Sequence, residues 1–445
     1  MKKKVLLFAR SFLAKYYADI KSDIIEPVFV TMTTQEREYL EGKGWKVYGC
    51  FEEDYPRLSI TEFNPSYLKT SFRSDRFLCR FPLEKRREIL GKEISFWTKI
   101  LDETKPDFLI NETVAVEIAE VMAIEAAKRN IPFHTALLGF LPNTFYWKPD
   151  PYSGRMNDLS KLQVSDEQLK QADQYLANIR ERQQRPFYVS SIKKYCISLK
   201  TVFHCLYLHL KQKSVEAKKE KEAGFRYEDY SIFTGLDVQR CWEALFRKHD
   251  SLKELEGKHY VFFPMHLEPE ATLNYFVDEQ YEQASFIQLL ACSLKQNQYL
   301  VVKEHPQQQG VLLSKEFAKL KKKYSNVIFL PSYISSFDVL KHCDAVVTLT
   351  STAAWEAAIL GIPVFVAGKI FYDQCPGITR IESPKQLRRE LRRTDYISPK
   401  FEDVKLFAAQ MISLFHEGCP TPSFKENTIK AYTRAIENLV SNEAL

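Results

Sequence analysis

The chain has 445 residues, of which 45% are hydrophobic and 27% are charged, so it is long enough for two globular domains and too apolar for a disordered chain. Its formal net charge of +6 is small for this length and gives little support to a nucleic-acid-binding protein. No stretch reaches the roughly 18 apolar, uncharged residues that a transmembrane helix requires.

The nine cysteines are an odd number and include no Cys-x-x-Cys pair. This usage favours buried thiols in a reducing compartment over a disulfide framework or a zinc site. We therefore expect a cytoplasmic protein.

The first part of the chain alternates between short apolar runs and amphipathic segments. Strands are predicted at 5–9, 27–31, 45–50, 107–110 and 131–138, with helices at 34–43, 82–104 and 114–129. Such alternation predicts a parallel sheet with helices on both faces.

The pattern changes after Pro151. Charged helical segments without strand signals are predicted at 165–185, 192–223 and 236–249. Strands resume at 259–263, 299–303, 327–330, 345–348 and 363–366, and the tail 399–440 is again helical.

This order predicts an α/β protein with two doubly wound, Rossmann-like domains, which is the layout of a GT-B glycosyltransferase. The predicted segments are an acceptor-side domain at 1–160, a helical interdomain region at 161–257, a nucleotide-sugar domain at 258–398, and helices at 399–445 that pack back toward the first domain. Ligands of open parallel sheets bind beyond the carboxyl ends of the strands, so the loops directly after strands hold the candidate residues.

Three consecutive hydroxyl residues, Thr350, Ser351 and Thr352, follow a predicted strand and open a helix. Free backbone N–H groups and the helix dipole make such a turn suitable for a phosphate, and helix capping without a ligand is the alternative. Glu356 lies four residues after Thr352 on the same helix face, where its carboxylate can hold a ribose diol or simply complement the dipole.

His305 follows the predicted strand 299–303, where an imidazole can donate a hydrogen bond to a phosphate or leaving-group oxygen. The alternative is a histidine that closes the strand end against its neighbour. The hydroxyl turn 46 residues later favours the phosphate role. Lys303 is a further candidate for donor binding, although a surface pair is the ordinary expectation for Lys303 and Glu304.

The loop after the first strand of the second domain contains a histidine, two acids and two prolines. Its residues His266 and Glu270 are candidates for donor recognition, and a surface turn whose acids cap the next helix is the alternative.

In the first domain, Glu112 follows the strand 107–110 and is the candidate general base or nucleophile. Helix capping by the adjacent Asn111 is the plain alternative there. We expect the two loops to line opposite walls of a cleft.

Residues 192–210 mix lysines with apolar and aromatic residues. This composition suits a basic amphipathic helix on a membrane surface, which would make the protein peripheral at the inner face of the plasma membrane. Packing of the segment against the two domains is the more common arrangement.

Several motifs between 299 and 379 resemble those of the capsule polysaccharide synthesis family. Lys303-Glu304-His305-Pro306 is similar to the family's Lys-Pro-His-Pro, and Thr348 to Val364 is similar to its Thr-Ser…Glu-Ala…Gly-x-Pro-Val segment. Gly368, Phe371-Tyr372 and Gly377-Ile378-Thr379 resemble the Gly…Phe-Tyr…Gly-Leu-Thr that follows. The resemblance implies a retaining β-Kdo transferase that uses CMP-Kdo, with His305 and Ser351/Thr352 on the nucleotide phosphate.

The leading hypothesis is a glycosyltransferase that moves a sugar, such as Kdo or a related acidic sugar, from a nucleotide-activated donor to a surface-polysaccharide or glycolipid acceptor. The alternatives are a CDP-polyol phosphotransferase of the teichoic-acid type and a non-catalytic subunit of a polysaccharide assembly complex. We expect neither a metal nor a cofactor, because no Asp-x-Asp motif occurs and GT-B enzymes commonly need no catalytic metal.

Overall fold

The computed structural model describes residues 2–68, 78, 81–156, 159–182, 198–223, 231–245, 249–268, 270–278, 282–306, 308, 310–421 and 426–442. The chain divides into two compact units. The first comprises Met1–Ser153, Ser214–Asp229 and Leu414–Leu445, and the second comprises Gly154–Lys213 and Tyr230–Ser413.

Strands and helices alternate along most of the chain. The strands are β1 (Lys3–Phe8), β2 (Ile25–Thr31), β3 (Val47–Cys50), β4 (Phe108–Asn111), β5 (Phe133–Leu138), β6 (Thr144–Lys148), β7 (His259–Pro264), β8 (Gln298–Lys303), β9 (Val327–Leu330), β10 (Ala345–Thr348), β11 (Val364–Val366), β12 (Ile378–Arg380) and β13 (His416–Glu417).

The helices of the first half are α1 (Phe12–Tyr17), α2 (Thr34–Gly42), α3 (Phe51–Asp54), α4 (Leu83–Thr104), α5 (Glu117–Lys128), α6 (Asp166–Arg182) and α7 (Leu199–Ala223). Those of the second half are α8 (Ser231–Ala244), α9 (Ala271–Tyr275), α10 (Gln283–Ser293), α11 (Lys315–Lys323), α12 (Ser336–Leu340), α13 (Ala353–Ile359), α14 (Pro384–Leu391), α15 (Phe401–Ile412) and α16 (Glu426–Asn442). No helix in these described ranges is long and apolar enough to cross a membrane.

The first unit contains a seven-stranded sheet in the order β13-β6-β5-β4-β1-β2-β3. Strands β1 to β5 pair in parallel, as predicted. The sequence reasoning missed the edge formed by β6 and β13, which pair antiparallel. The strand order reverses between β1 and β4, so the loops after these two strands lie at the topological switch point.

The second unit contains a six-stranded sheet in the order β12-β11-β10-β7-β8-β9, and all its pairings are parallel. Its central strands are continuous apolar runs because helices cover both faces. Helices α10, α11 and α14 supply one core cluster on this sheet, which includes Phe286, Phe317 and Leu387. Here the switch point lies between β7 and β10.

The last helix belongs to the first unit. Ile429, Tyr432 and Ile436 of α16 are buried in the same core cluster as Val5 and Phe29 of the first sheet. Tyr16 also donates a hydrogen bond from its hydroxyl to the Gly418 carbonyl at 2.7 Å. A segment some 400 residues away in the chain thus completes the N-terminal core.

The predicted fold class, α/β with two doubly wound Rossmann-like domains, is confirmed by the two sheets. The four predicted segments do not coincide with the two units. The helical stretch predicted at 161–257 is divided between them, and of the terminal helices α15 lies in the second unit while α16 lies in the first. Part of the helix predicted from residue 192 lies outside the described residues, and α7 begins at Leu199.

Candidate functional site

The loops after β7, β8 and β10 converge at one edge of the second sheet, because these three parallel strands are neighbours. Side-chain contacts join two of the loops directly. His266, after β7, accepts a hydrogen bond at Nε2 from the Thr350 N–H at 2.9 Å. The Thr348 hydroxyl lies 3.2 Å from the same nitrogen. Residues from two loops more than 80 positions apart therefore form one site at the switch point.

His266 is buried beneath the hydroxyl turn. Burial, with a smaller contribution from the charge of His305, lowers the pKa of His266 to about 3. A neutral imidazole that accepts at Nε2 carries its proton on Nδ1. The Nε2 of His266 thus contacts the turn, while its backbone is held by Gln283, so His266 positions Thr350 rather than presenting its own ring at the surface.

The three hydroxyl residues of the turn have different environments. Thr350 is buried, and its hydroxyl donates to the Thr272 hydroxyl at 3.2 Å. The Ser351 N–H donates to the Thr348 hydroxyl at 2.9 Å, and the Ser351 Oγ accepts from the Ala353 N–H at 3.3 Å. Thr352 forms no side-chain capping bond to α13. Helix capping therefore accounts for one hydroxyl of the three, and Thr350 serves the fold.

Two residues behind the turn hold its backbone in place. The Tyr372 hydroxyl donates to the Ser351 carbonyl at 2.5 Å, and its ring stacks on Trp355 with centroids 6.2 Å apart. Gly368 lies so close that a Cβ there would meet the Thr350 Cγ2 at 2.5 Å and the Leu349 carbonyl oxygen at 2.6 Å. The sequence identified Tyr372 and Gly368 only as parts of a resemblance, and their contacts show that they shape the turn.

His305 lies after β8 at the same edge and is half-buried. Burial, followed by the charge of Lys303, lowers the pKa of His305 to about 4. The imidazole is therefore uncharged at neutral pH and carries a single N–H group. An incoming anion would favour the protonated ring, because an opposite charge nearby raises the pKa of an imidazole.

The expectation of a surface pair at Lys303 and Glu304 is wrong, because both residues are only 2% exposed. The Lys303 Nζ donates to the Glu304 carbonyl at 3.1 Å. The Glu304 carboxylate accepts from the Leu312 N–H at 2.9 Å and lies 3.3 Å from the His249 Nε2. Glu304 thus anchors the segment after His305, and Lys303 is a buried cation under the site.

Two carboxyl groups complete the second-unit candidates. Glu270 precedes α9, and burial raises its pKa to about 6 against the lowering effect of a Thr272 hydrogen bond. A carboxyl group that titrates near neutral pH can either donate or accept a proton. Glu356 is buried within the first turns of α13.

In the first unit, Glu112 follows β4 and accepts from the Arg10 guanidinium at 2.5 Å. Arg10 follows β1, so this pair lies at the switch point of the first sheet. The Glu112 side chain is one-third exposed, whereas that of Arg10 is almost fully buried. The sequence reasoning missed Arg10, although the same rule about strand ends would have selected it.

The residue after Arg10 has an unusual backbone. Ser11 adopts a φ of 56°, a conformation that L side chains rarely take and that costs of order 1–3 kcal/mol. The Glu36 carboxylate holds it there by accepting from the Ser11 N–H at 2.5 Å, while it also accepts from the Met32 and Thr33 N–H groups. The loop after β1, which carries Arg10, is thereby tied to the loop after β2.

Comparison with known proteins gives one match in sequence and several weak matches in structure. Residues 238–418 match the family of capsule polysaccharide biosynthesis proteins. No curated protein sequence matches the chain. The β-Kdo 2,7 transferase of Thermosulfurimonas dismutans KpsC is 15% identical, with 81% of this chain and 97% of that chain covered and a TM-score of 0.40.

Two further solved structures are similarly distant. The β-Kdo 2,4 transferase of the same KpsC is 15% identical, with 71% of this chain and 82% of that chain covered and a TM-score of 0.41. The S. aureus MnaA–UDP co-structure is 11% identical, with 99% and 97% covered and a TM-score of 0.28. TM-scores of this size assign no activity to the chain.

The matched region contains β7 to β12 and every loop of the second-unit site. The motifs that resemble the capsule polysaccharide synthesis family, at 299–379, lie entirely inside it. In residues 238–418, the chain is similar to the family of capsule polysaccharide biosynthesis proteins.

Proposed function

We propose that the protein is a glycosyltransferase that binds a nucleotide-activated sugar at the second-unit switch point and transfers the sugar to a surface-polysaccharide or glycolipid acceptor. The observation that carries the proposal is the convergence of His305 and the Ser351–Thr352 turn at the carboxyl edge of one parallel sheet. The match of residues 238–418, nearly all in this unit, to the family of capsule polysaccharide biosynthesis proteins supports a role in capsule synthesis.

The residues around the turn suit a phosphate because they carry hydrogen-bond donor groups. His305 is a neutral imidazole with an N–H group, and Ser351 and Thr352 supply hydroxyls at a half-buried position. Hydrogen bonds from such donors strengthen as negative charge builds up on a departing phosphate. His266, Thr350 and Tyr372 keep these donors in place.

The remaining candidates receive roles consistent with their positions. Glu356 is proposed to hold the ribose diol, Lys303 to add positive potential beneath the phosphates, and Glu270 to recognise the donor sugar. Glu112 is proposed as the general base or nucleophile on the acceptor side, oriented by Arg10. By resemblance, the donor is CMP-linked and its sugar is Kdo or a related acidic sugar, and no metal or cofactor takes part.

Calorimetric titration with CMP, CDP, UDP and GDP tests the binding half of this proposal. We expect one nucleotide to bind, and we expect His305→Ala and Ser351→Ala each to weaken it by about tenfold or more, since a hydrogen bond to a charged group contributes roughly 1.5–3 kcal/mol. His342→Ala and Ser285→Ala are matched controls, because both residues are exposed in the same unit away from the turn.

The outcome also separates the alternatives. A non-catalytic subunit predicts no heat with any of the four nucleotides. A CDP-polyol phosphotransferase predicts phosphorus in the transferred group, which mass spectrometry of the product detects.

In a donor screen, Glu112→Gln is expected to reduce transfer by on the order of 10² or more while nucleotide binding is retained. Unchanged transfer in Glu112→Gln, His305→Ala and Ser351→Ala would contradict the assignment.

A further inference from the structure

Helix α7 has two apolar faces, and helix α8 covers one of them. On this covered face Val202 is buried, the Cys205 and Cys241 Sγ atoms are 3.7 Å apart, and the His209 Nδ1 lies 3.0 Å from the Thr234 hydroxyl. Positions 202, 205 and 209 are spaced by three and four residues and therefore share one side of the helix. These contacts fix the rotation of α7 about its axis.

The second apolar face of α7 is exposed. Its side chains follow the helical repeat and form a single stripe: Leu199 (58% exposed), Phe203 (66%), Leu206 (38%), Tyr207 (60%) and Leu210 (58%). Isolated exposed leucines are common on protein surfaces, but a continuous apolar patch marks an interaction site. The stripe is therefore the strongest candidate for a docking surface on the second unit.

The charges around the stripe are all positive. At 100° per residue, Lys200 and Lys211 lie along one margin and Lys213 lies along the other. All three are exposed, and none forms an ion pair within the described part of the chain. Residues 199–213 contain no acidic residue. An apolar stripe bordered on both sides by lysines complements a partner with an apolar interior and anionic groups where that interior meets water.

We propose that this stripe docks the protein on an anionic lipid bilayer, with α7 lying in the plane of the interface. The leucines, Phe203 and Tyr207 enter the boundary between head groups and acyl chains, and the lysines extend to the lipid phosphates. The proposal goes beyond the proposed function, because it requires neither nucleotide binding nor catalysis. It also reverses the more common expectation that this segment packs inside the protein.

Co-sedimentation with vesicles tests the proposal. The full chain should bind vesicles of phosphatidylcholine with phosphatidylglycerol, bind those of phosphatidylcholine alone more weakly, and be released by salt. Phe203→Glu combined with Leu210→Glu should reduce the binding at least about tenfold. Lys200→Gln combined with Lys211→Gln should lower binding to the anionic vesicles with little effect on the neutral ones.

The matched control is His204→Glu combined with Leu208→Glu, which adds the same two acidic groups to exposed positions of α7 outside the stripe. It should keep most of the vesicle binding.

Circular dichroism and the nucleotide titration should be unchanged in all variants, so a loss of vesicle binding is separable from failure of the proposed function. No vesicle binding by the full chain, or equal losses in the two acidic variants, overturns the proposal. A contrary outcome is that the full chain forms dimers and binds no vesicles. If Phe203→Glu combined with Leu210→Glu abolished those dimers and the control variant did not, the stripe would be an interface between two copies of the chain.

Discussion

At the scale of single residues, the fold keeps two imidazoles uncharged beside a site proposed to bind an anion. Burial lowers the pKa of His266 to about 3 and that of His305 to about 4. His266 is used as an acceptor that fixes Thr350, whereas His305 lies half-buried after β8 at the same edge of the sheet. Two residues of one type therefore serve different purposes, which their environments decide.

These two pKa values predict that the contribution of the two imidazoles to stability is lost in mild acid. An unfolded imidazole titrates near 6.5, so between pH 6.5 and pH 4 the unfolded chain binds more protons than the folded chain. The stabilisation is complete above the unfolded pKa and is lost as the pH falls toward the folded pKa. Between pH 7 and pH 5 we expect a loss of about 2 kcal/mol for each imidazole, measured by urea unfolding.

His266→Gln and His305→Gln should each make the difference between pH 7 and pH 5 smaller by roughly its own share. His259→Gln is the control, because His259 is largely exposed at the opposite edge of the same sheet. If His266→Gln and His305→Gln both kept the full difference in unfolding free energy between pH 7 and pH 5, groups other than these two imidazoles would be its cause.

At the scale of elements, the hydroxyl turn depends on how closely the backbone after β11 approaches it. Gly368 donates its N–H to the Leu349 carbonyl at 2.8 Å, and its Cα faces Thr350. No space for a side chain remains between the backbone at Gly368 and the turn at Leu349 and Thr350. The glycine in the Gly…Phe-Tyr motif is thus explained by packing against the turn.

Gly368→Ala is therefore expected to shift the turn. A methyl group that would lie 2.5 Å from Thr350 should cost about 1–3 kcal/mol of unfolding free energy and weaken nucleotide binding. Gly42→Ala is the control, because nothing lies within 4 Å of its Cβ position, and alanine in a helix should be neutral or stabilising by up to about 1 kcal/mol. Urea unfolding and nucleotide titration measure both effects, and equal behaviour of the two variants would exclude the packing role.

At the scale of the whole molecule, the two ends of the chain form one unit. Tyr432 of α16 is fully buried and contacts Tyr16 and Phe145, with ring centroids 5.4 and 5.1 Å away. The first unit therefore requires a helix that is synthesised last. The family match, in contrast, lies almost entirely within the second unit and ends at residue 418.

Tyr432→Ala should destabilise the first unit by about 3–5 kcal/mol, the usual cost of removing a large buried aromatic side chain. Nucleotide binding by the second unit should persist below the unfolding temperature. Arg434→Ala, at an exposed position of the same helix, should have little effect. Thermal unfolding monitored with and without nucleotide distinguishes the units, and loss of nucleotide binding in Tyr432→Ala would contradict this assignment.

Much of the fold was predictable because the signals are local. Continuous apolar runs such as Val261 to Phe263 and Ala345 to Val347 indicate buried parallel strands, and polar residues directly after them indicate ligand loops. The motifs near His305 and Thr350 also predicted the similarity of residues 238–418 to capsule polysaccharide biosynthesis proteins. The antiparallel strands β6 and β13 were missed because alternation of strands and helices predicts parallel pairing only, and β13 is distant from β6 in sequence.

The sequence by itself determined the α/β class, the two doubly wound domains and the identity of the candidate loops, since periodicity and strand-end chemistry act over a few neighbouring residues. Only the tertiary structure decided that His266 accepts from Thr350, that Arg10 pairs with Glu112, and that Lys303 and Glu304 are buried. It also decided that one apolar face of α7 remains exposed. Each of these depends on which elements meet in space, and that is set by the packing of the whole chain rather than by any local pattern.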